Sequence, residues 1–265
     1  MIKEAGFDAF DFSYYIKLEN DEILGDNYRD FALGLKAHMD KIGISCIQAH
    51  APFSIEYGMD KEAYDKKYLN IVRSIESAAI LGAKNIVIHS VTTPNMADFE
   101  EYNLAFFKSF IPYCEKFGIC VAVENLFIRD AKRKRLNSRL GTPKELNAFV
   151  EKINSPYIVA CVDIGHAALT AATEPEDFIA AVNPEKLACL HVQDNDYLDD
   201  RHLIPYSGMF NWEAIMTSLK KIGYCGDLNF EIVKHLQKFP DELIPTALKF
   251  ARDVGRHLIS IYEKA

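Results

Sequence analysis

The fold class predicted is an α/β protein of the (β/α)8 barrel type, on three observations. Helix-like stretches end at Gly6, Gly43, Gly82, Gly118 and Gly223, and each glycine is followed within a few residues by a strand-like run. The first four of these glycines recur every 36 to 39 residues. The chain is 265 residues long, close to the roughly 250 that such a barrel occupies as one domain.

Taken in order, the elements follow from local chemistry. Glycine suits the left-handed residue just past a helix C-terminus, so Met1–Ala5 reads as the last turn of a helix closed by Gly6. The runs Asp8–Phe12, Ile44–Ala49, Asn85–His89 and Ile119–Glu124 are rich in the β-branched and aromatic residues that favour strands. From Asp60 to Leu81, Tyr64, Tyr68, Ile71, Ile75 and Ala79 recur at three- and four-residue spacing, the stripe of an amphipathic helix. The gap of 105 residues between Gly118 and Gly223 equals nearly three periods. It holds two further strand candidates, Tyr157–Val162 and Lys186–Val192, entered through Asn154-Ser155-Pro156 and Asn183-Pro184. Thr142-Pro143-Lys144-Glu145 and Thr173-Glu174-Pro175-Glu176 both have the form of a capping box at a helix start, the first with proline at its favoured first helical position. Asp227–Ile232 supplies a last strand.

Strands alternating with helices at this period give a parallel sheet. With no linker or low-complexity tract, residues 1–265 read as a single barrel domain. The count reaches seven strands, so the first strand and most of the first helix are expected to be missing from this chain. A barrel lacking a strand exposes unpaired edges. Three explanations stand open: a start codon chosen too far downstream, a partner chain (a homo-oligomer) filling the gap, or an open barrel. The first is the most economical.

Composition narrows the function. Hydrophobic residues make up 49% and charged residues 26%, ordinary values for a soluble globular protein. No apolar run approaches the roughly 18 residues needed to span a bilayer, and Met1-Ile2-Lys3-Glu4-Ala5-Gly6 lacks the form of a secretory signal. Six cysteines without a CxxC argue against a disulfide scaffold or a thiolate zinc finger. A cytoplasmic location is expected, with no membrane partner. The net charge of -8 disfavours a mainly electrostatic nucleic-acid binder.

Barrel enzymes carry their chemistry at the C-terminal ends of the strands. Here those ends present His50, His89, Glu124, Asp163, His191 and Glu231. Any one histidine reads most simply as a structural residue, but six successive strands ending in a metal-type ligand do not arise readily by chance. Side chains alternate along a strand, so Cys46, Cys120, Ala122, Cys161 and Cys189 are expected to share the interior side with these ligands. The four cysteines among them read as packing residues. Nitrogen and carboxylate donors without thiolate suit Zn²⁺, Mn²⁺, Fe²⁺ or Co²⁺. Glu124, Asp163, His191 and Glu231 form the simplest four-ligand set, and His166, Asp200 and His202 can enlarge it.

These residues resemble the xylose-isomerase-like barrels, which include sugar and sugar-phosphate isomerases and epimerases and the endonuclease IV type of DNA repair enzyme. The resemblance covers nearly the whole chain. It rests on Val123-Glu124-Asn125, Val162-Asp163-Ile164-Gly165-His166-Ala167, Leu190-His191-Val192-Gln193-Asp194, Phe230-Glu231, and Asp200-Arg201-His202 followed by Pro205 and Gly208. In the epimerase branch the resemblance implies one divalent metal on Glu124, Asp163, His191 and Glu231, with His166 contacting substrate. In the endonuclease branch it implies three zinc ions on all nine positions, those matching His50, His89, Asp200 and His202 included. The metal count therefore stays open, with one per chain the simplest and three the most.

The chemistry implied is epimerisation or isomerisation through an enediolate. A metal chelating the carbonyl and hydroxyl oxygens of a ketose stabilises the intermediate left when the adjacent proton departs. Glu124 and Glu231 would remove and return that proton. Beyond Glu124 lies the basic run Arg129 to Arg135, then Arg139. Arg129, and Arg201 in the loop after His191, are candidate contacts for a substrate anion. Phe53, Tyr57, Phe127, Tyr206 and Trp212 are candidate pocket walls. The leading expectation is a metal-dependent isomerase or epimerase acting on a small sugar or sugar phosphate, with nucleic acid disfavoured. The alternatives are a trinuclear zinc phosphodiesterase on abasic DNA, a related lyase or dehydratase, and a non-catalytic metal- or sugar-binding barrel.

Overall fold

Helices end at Gly6, Gly43, Gly82 and Gly118, and a strand begins within a few residues of each. Gly82, at φ 99, closes the helix Lys61–Leu81 by donating its N–H to the carbonyls of Ala78 and Ala79, and Gly118, at φ 69, closes Met96–Phe117. An L side chain is disfavoured at such angles. The structure, a computed structural model, describes residues 1–14, 23–53, 55–129, 135–136, 140–170 and 173–265, with the backbone alone at 96, 128, 129, 135 and 136.

The strands are β1 (Ala9–Ser13), β2 (Ser45–His50), β3 (Asn85–Ile88), β4 (Cys120–Glu124), β5 (Ile128–Arg129), β6 (Arg135–Leu136), β7 (Ile158–Asp163) and β8 (Leu187–His191). β5 and β6 form a short antiparallel pair, and the other six make one sheet in the order β1-β2-β3-β4-β7-β8. Register sets which side chains leave the sheet together. His50 lies opposite Val87, Ile88 opposite Val123, and Asp163 opposite His191. The seventh expected strand, Asp227–Ile232, is reduced to one parallel bridge between Val192 and Phe230. Its sequence mixes polar residues through the run, and a helical turn, Val233–Leu236, follows at once. The bridge still fixes Glu231, whose N–H donates to the Val192 carbonyl at 3.1 Å.

The chain divides into two compact units. One comprises Asp8–Glu124 and Phe149–Val159. In its core Ile71, Ile75, Ala78 and Leu81 of one helix, Phe107 and Phe110 of the next, and Ile86, Val87 and Val121 of the strands are all buried. The other comprises Met1–Phe7, Asn125–Ala148 and Ala160–Ala265. Its core gathers Phe178, Ile179, Trp212, Ile215, Leu219, Ala251 and Leu258, and the single turn Ile2–Ala5 packs against the helix Ile244–Lys264.

Two local expectations need correction. Thr142 and Glu145 form the reciprocal capping box, Thr142 N–H to Glu145 Oε2 at 3.1 Å and Glu145 N–H to Thr142 Oγ1 at 3.2 Å. The second box does not form. Pro175 occupies the first helical position, so Glu174 becomes the cap and Thr173 falls one residue outside the frame. Proline decides this, because it has no N–H to give and its φ is already helical. Of the four cysteines read as interior packing, Cys46, Cys161 and Cys189 are buried, but Cys120, at the start of β4, is half-exposed. Burial pushes the Cys46 thiol up to about 12, which suits a packing residue and not a thiolate ligand. Among the described residues, no helix is long and apolar enough to cross a membrane.

Candidate metal centre

Each unit gathers its own share of the expected ligands. In the unit containing β1 to β4, His50 ends β2, His89 follows β3 and Glu124 ends β4, so the matched registers deliver all three to one place. His89 Nε2 stands 2.8 Å from Glu124 Oε2 and 3.1 Å from His50 Nε2. His50 Nε2 is 3.8 Å from the same carboxylate oxygen, while its Nδ1 donates to the Ala51 carbonyl at 2.8 Å. His50 and Glu124 are buried. Phe53 lies against both imidazoles, with ring centroids 5.2 and 4.8 Å away.

In the other unit, Asp163 ends β7, His191 ends β8 and Glu231 follows the Phe230 bridge. His191 Nδ1 is 3.3 Å from Glu231 Oε2 and 3.8 Å from Asp163 Oδ2, and ligand atoms of all three residues lie within 4.8 Å of one another. Two ligands held about 2.1 Å from a common ion at a tetrahedral angle stand about 3.4 Å apart. The observed separations match that spacing, and the donors are one imidazole and two carboxylates. A divalent transition metal fits this set.

A family model described as xylose isomerase-like TIM barrel matches residues 1–254. The chain belongs to that family. Its fold is therefore a TIM barrel, as the glycine period predicts. An uncharacterized protein of Methanocaldococcus jannaschii is 27% identical over 240 residues, covering 87% of this chain and 76% of that one. Among solved structures, a D-tagatose 3-epimerase-like protein superposes with a TM-score of 0.77 at 23% identity, covering 99% of this chain and 92% of that one. The IOLI protein, solved with a zinc atom, gives 0.73 at 16% identity over 99% and 90%. At these identities the two structures share the fold of this xylose isomerase-like barrel.

Around the candidate ligands of this family member runs a hydrogen-bonded support. Asn125 clamps the backbone of Asp163, accepting its N–H at 2.7 Å and donating to its carbonyl at 3.0 Å. Asp163 Oδ1 also caps the helix Ile164–Leu169 by accepting the His166 N–H at 2.6 Å. Gln193 is the hub. Its amide donates to Asp163 Oδ2 at 3.1 Å and to Asp200 Oδ1 at 2.9 Å, and its carbonyl oxygen accepts the His202 N–H at 3.0 Å. A Cβ on Gly165 would stand 2.4 Å from Gln193 Cδ, so only glycine lets this side chain pass. Such outer contacts orient metal ligands and hold their protonation state. Asn125 and Gln193 sit in the quoted motifs, but nothing in their residue types marks them as supports. Strand alternation carried two residues past His191 would have placed Gln193 on the ligand side.

His166 keeps its Nδ1 3.0 Å from the Asn125 carbonyl and faces Phe127, ring centroids 5.0 Å apart. Asp200 and His202 pair with each other, His202 Nε2 to Asp200 Oδ2 at 2.8 Å. Burial raises the Asp200 carboxyl, but the His202 hydrogen bond and the charges of His166, His202 and Lys234 outweigh it and hold the group well below the usual carboxylate range. Burial in turn depresses His202, and the Asp200 bond with the neighbouring carboxylates raises it above its ordinary value.

Of the expected anion contacts, only Arg201 has a described side chain. Arg201 pairs with Asp196 at 2.6 Å, a neighbour close enough in sequence to capture the guanidinium. The side chain of Arg129, the loop 130–134 and Arg139 lie outside the described residues. Of the aromatic candidates, Phe53 faces His50 and His89, and Phe127 faces His166. Trp212 does not: it is fully buried, its Nε1–H donates to Asp194 Oδ2 at 2.8 Å, and it belongs to the core. Tyr57 packs on Tyr102, centroids 5.4 Å apart, and Tyr206 bonds Glu213.

Proposed function

We propose that this chain is a divalent-metal-dependent isomerase or epimerase of a sugar or sugar phosphate. The observation that carries the reading is the convergence of Asp163, His191 and Glu231 at metal-ligand spacing. Glu124 completes the set in this reading. It directly precedes Asn125, whose amide is tied to the Asp163 backbone. The D-tagatose 3-epimerase-like neighbour and the zinc of the IOLI protein support the choice of chemistry.

When bound, a Zn²⁺, Mn²⁺, Co²⁺ or Fe²⁺ ion supplies Lewis acidity that favours loss of a proton from the carbon beside a carbonyl. The protein's own part is proton transfer. One of Glu124 and Glu231 accepts the proton and the other returns it, to the opposite face for epimerisation or to the neighbouring carbon for isomerisation. His166 holds a substrate hydroxyl, and Phe53 and Phe127 keep water from the reacting carbon. One barrel then serves both glutamates from the ends of its strands.

The test uses a panel of ketoses and ketose phosphates incubated with the metal-loaded protein in deuterium oxide. Interconversion with deuterium entering at the carbon next to the carbonyl, lost on stripping the metal and restored on its return, is the expected result. Exchange that survives complete removal of the metal, or no exchange with any member of the panel, contradicts it. A second reading, phosphodiester hydrolysis at several ions, draws on the His50–His89–Glu124 convergence. The net charge of -8 weighs against it, and incision of abasic DNA would favour it.

A further inference from the structure

By residue type, Asp200 and His202 are ligands for an additional ion. Their geometry has that form as well. His202 Nδ1–H donates to the Glu231 carbonyl at 2.9 Å, which turns Nε2 toward Asp200 Oδ2. A backbone carbonyl holding one ring nitrogen so that the other faces an ion is the usual support of a metal histidine. Yet the carboxylate is already served by a positive charge. Asp200 Oδ1 accepts from Gln193, and Oδ2 accepts the Lys234 ammonium at 2.6 Å as well as His202. Lys234 lies three residues after Glu231, on the turn Val233–Leu236. Its side chain is 56% exposed while that of Asp200 is 15% exposed, so the lysine reaches from the surface onto a mostly covered carboxylate. No residue type in the quoted motifs announces this.

We propose that Lys234 is a built-in cation standing in for a metal at Asp200 and His202. It satisfies the carboxylate charge, and it repels a divalent ion from the same oxygen. The chain therefore loads metal at the Asp163–His191–Glu231 centre and not at this pair. The proposal rests on the metal-dependent reading only in requiring that centre to bind metal. It deepens that reading, because a site denied its further ion is suited to proton transfer at one metal and not to a trinuclear phosphodiesterase.

Metal counting decides it independently of any activity. Wild type, Lys234→Met, Lys234→Arg, His202→Ala and the double variant Lys234→Met/His202→Ala are loaded with zinc and desalted. Zinc per chain is then measured by plasma mass spectrometry, with circular dichroism confirming the fold. Lys234→Met is expected to gain close to one equivalent over wild type, and the double variant to lose that gain. Lys234→Arg and His202→Ala are expected to match wild type. A wild-type count that falls in folded His202→Ala, or a Lys234→Met count equal to that of a zinc-binding wild type, overturns this inference alone. Absence of zinc from every variant overturns it together with the metal-dependent reading.

Discussion

Glu231→Gln is expected to lower the rate of solvent-deuterium exchange by about 10²- to 10⁴-fold, the usual contribution of a positioned acid or base. Glutamine keeps the shape of the side chain and removes its ability to take a proton. The fold should be unaffected, because the part of residue 231 that holds the architecture is its backbone N–H on Val192, which the substitution leaves in place. Glu124→Gln should behave alike, although it also replaces the carboxylate 2.8 Å from His89. The measurement is the exchange rate beside a thermal unfolding curve. Full activity in both folded variants removes the two-glutamate chemistry.

Asp194→Ala is expected to cost about 3–5 kcal/mol of stability, a value in the extreme tail for single substitutions. The carboxylate is fully buried and accepts from Trp212 Nε1 at 2.8 Å and from the backbone N–H groups of Tyr206, Met209 and Phe210 at 2.9, 3.0 and 3.3 Å. Burial nevertheless pushes its carboxyl above the ordinary range, against the pull of those donors. The loop wraps it so closely that a Cβ on Gly208 would lie 2.2 Å from Oδ1. The Met209 N–H keeps the Asn195 carbonyl at 2.9 Å, but alanine strands the Trp212, Tyr206 and Phe210 donors, and each buried orphan costs about 1–3 kcal/mol. Urea unfolding monitored at Trp212 measures the loss. A change below about 1 kcal/mol would show that the loop satisfies its own donors and that Asp194 is not its organiser.

The helix ends and the barrel class were legible because they depend on local chemistry. A glycine that must adopt a left-handed angle announces itself wherever it stands, and Gly82 and Gly118 did so. The cluster of candidate ligands at strand ends was legible for a related reason: His50, Glu124, Asp163 and His191 each follow an apolar run, and register sets Asp163 directly opposite His191. What escaped depends on contacts between distant segments or on competition between neighbours. Asp227–Ile232 reads as a strand from its own residues, but the helical turn that follows it leaves one bridge. Thr173 has the right spacing for a cap, yet Pro175 sets the frame. Gln193 and Lys234 carry no motif of their own. Gln193 meets Asp163, Asp200 and His202 across 30, 7 and 9 residues of chain, and Lys234 meets Asp200 across 34. Arg201 had the right chemistry for an anion, and Asp196 lay nearer.

Where the metal seats can be read from the crystal itself. Crystals of the zinc-loaded protein, with diffraction recorded on both sides of the zinc absorption edge, locate the ion without reference to activity. The expected result is an anomalous peak about 2.0–2.2 Å from a carboxylate oxygen of Glu124, Asp163 and Glu231 and from His191 Nδ1. A zinc ion bound away from these four side chains would contradict it.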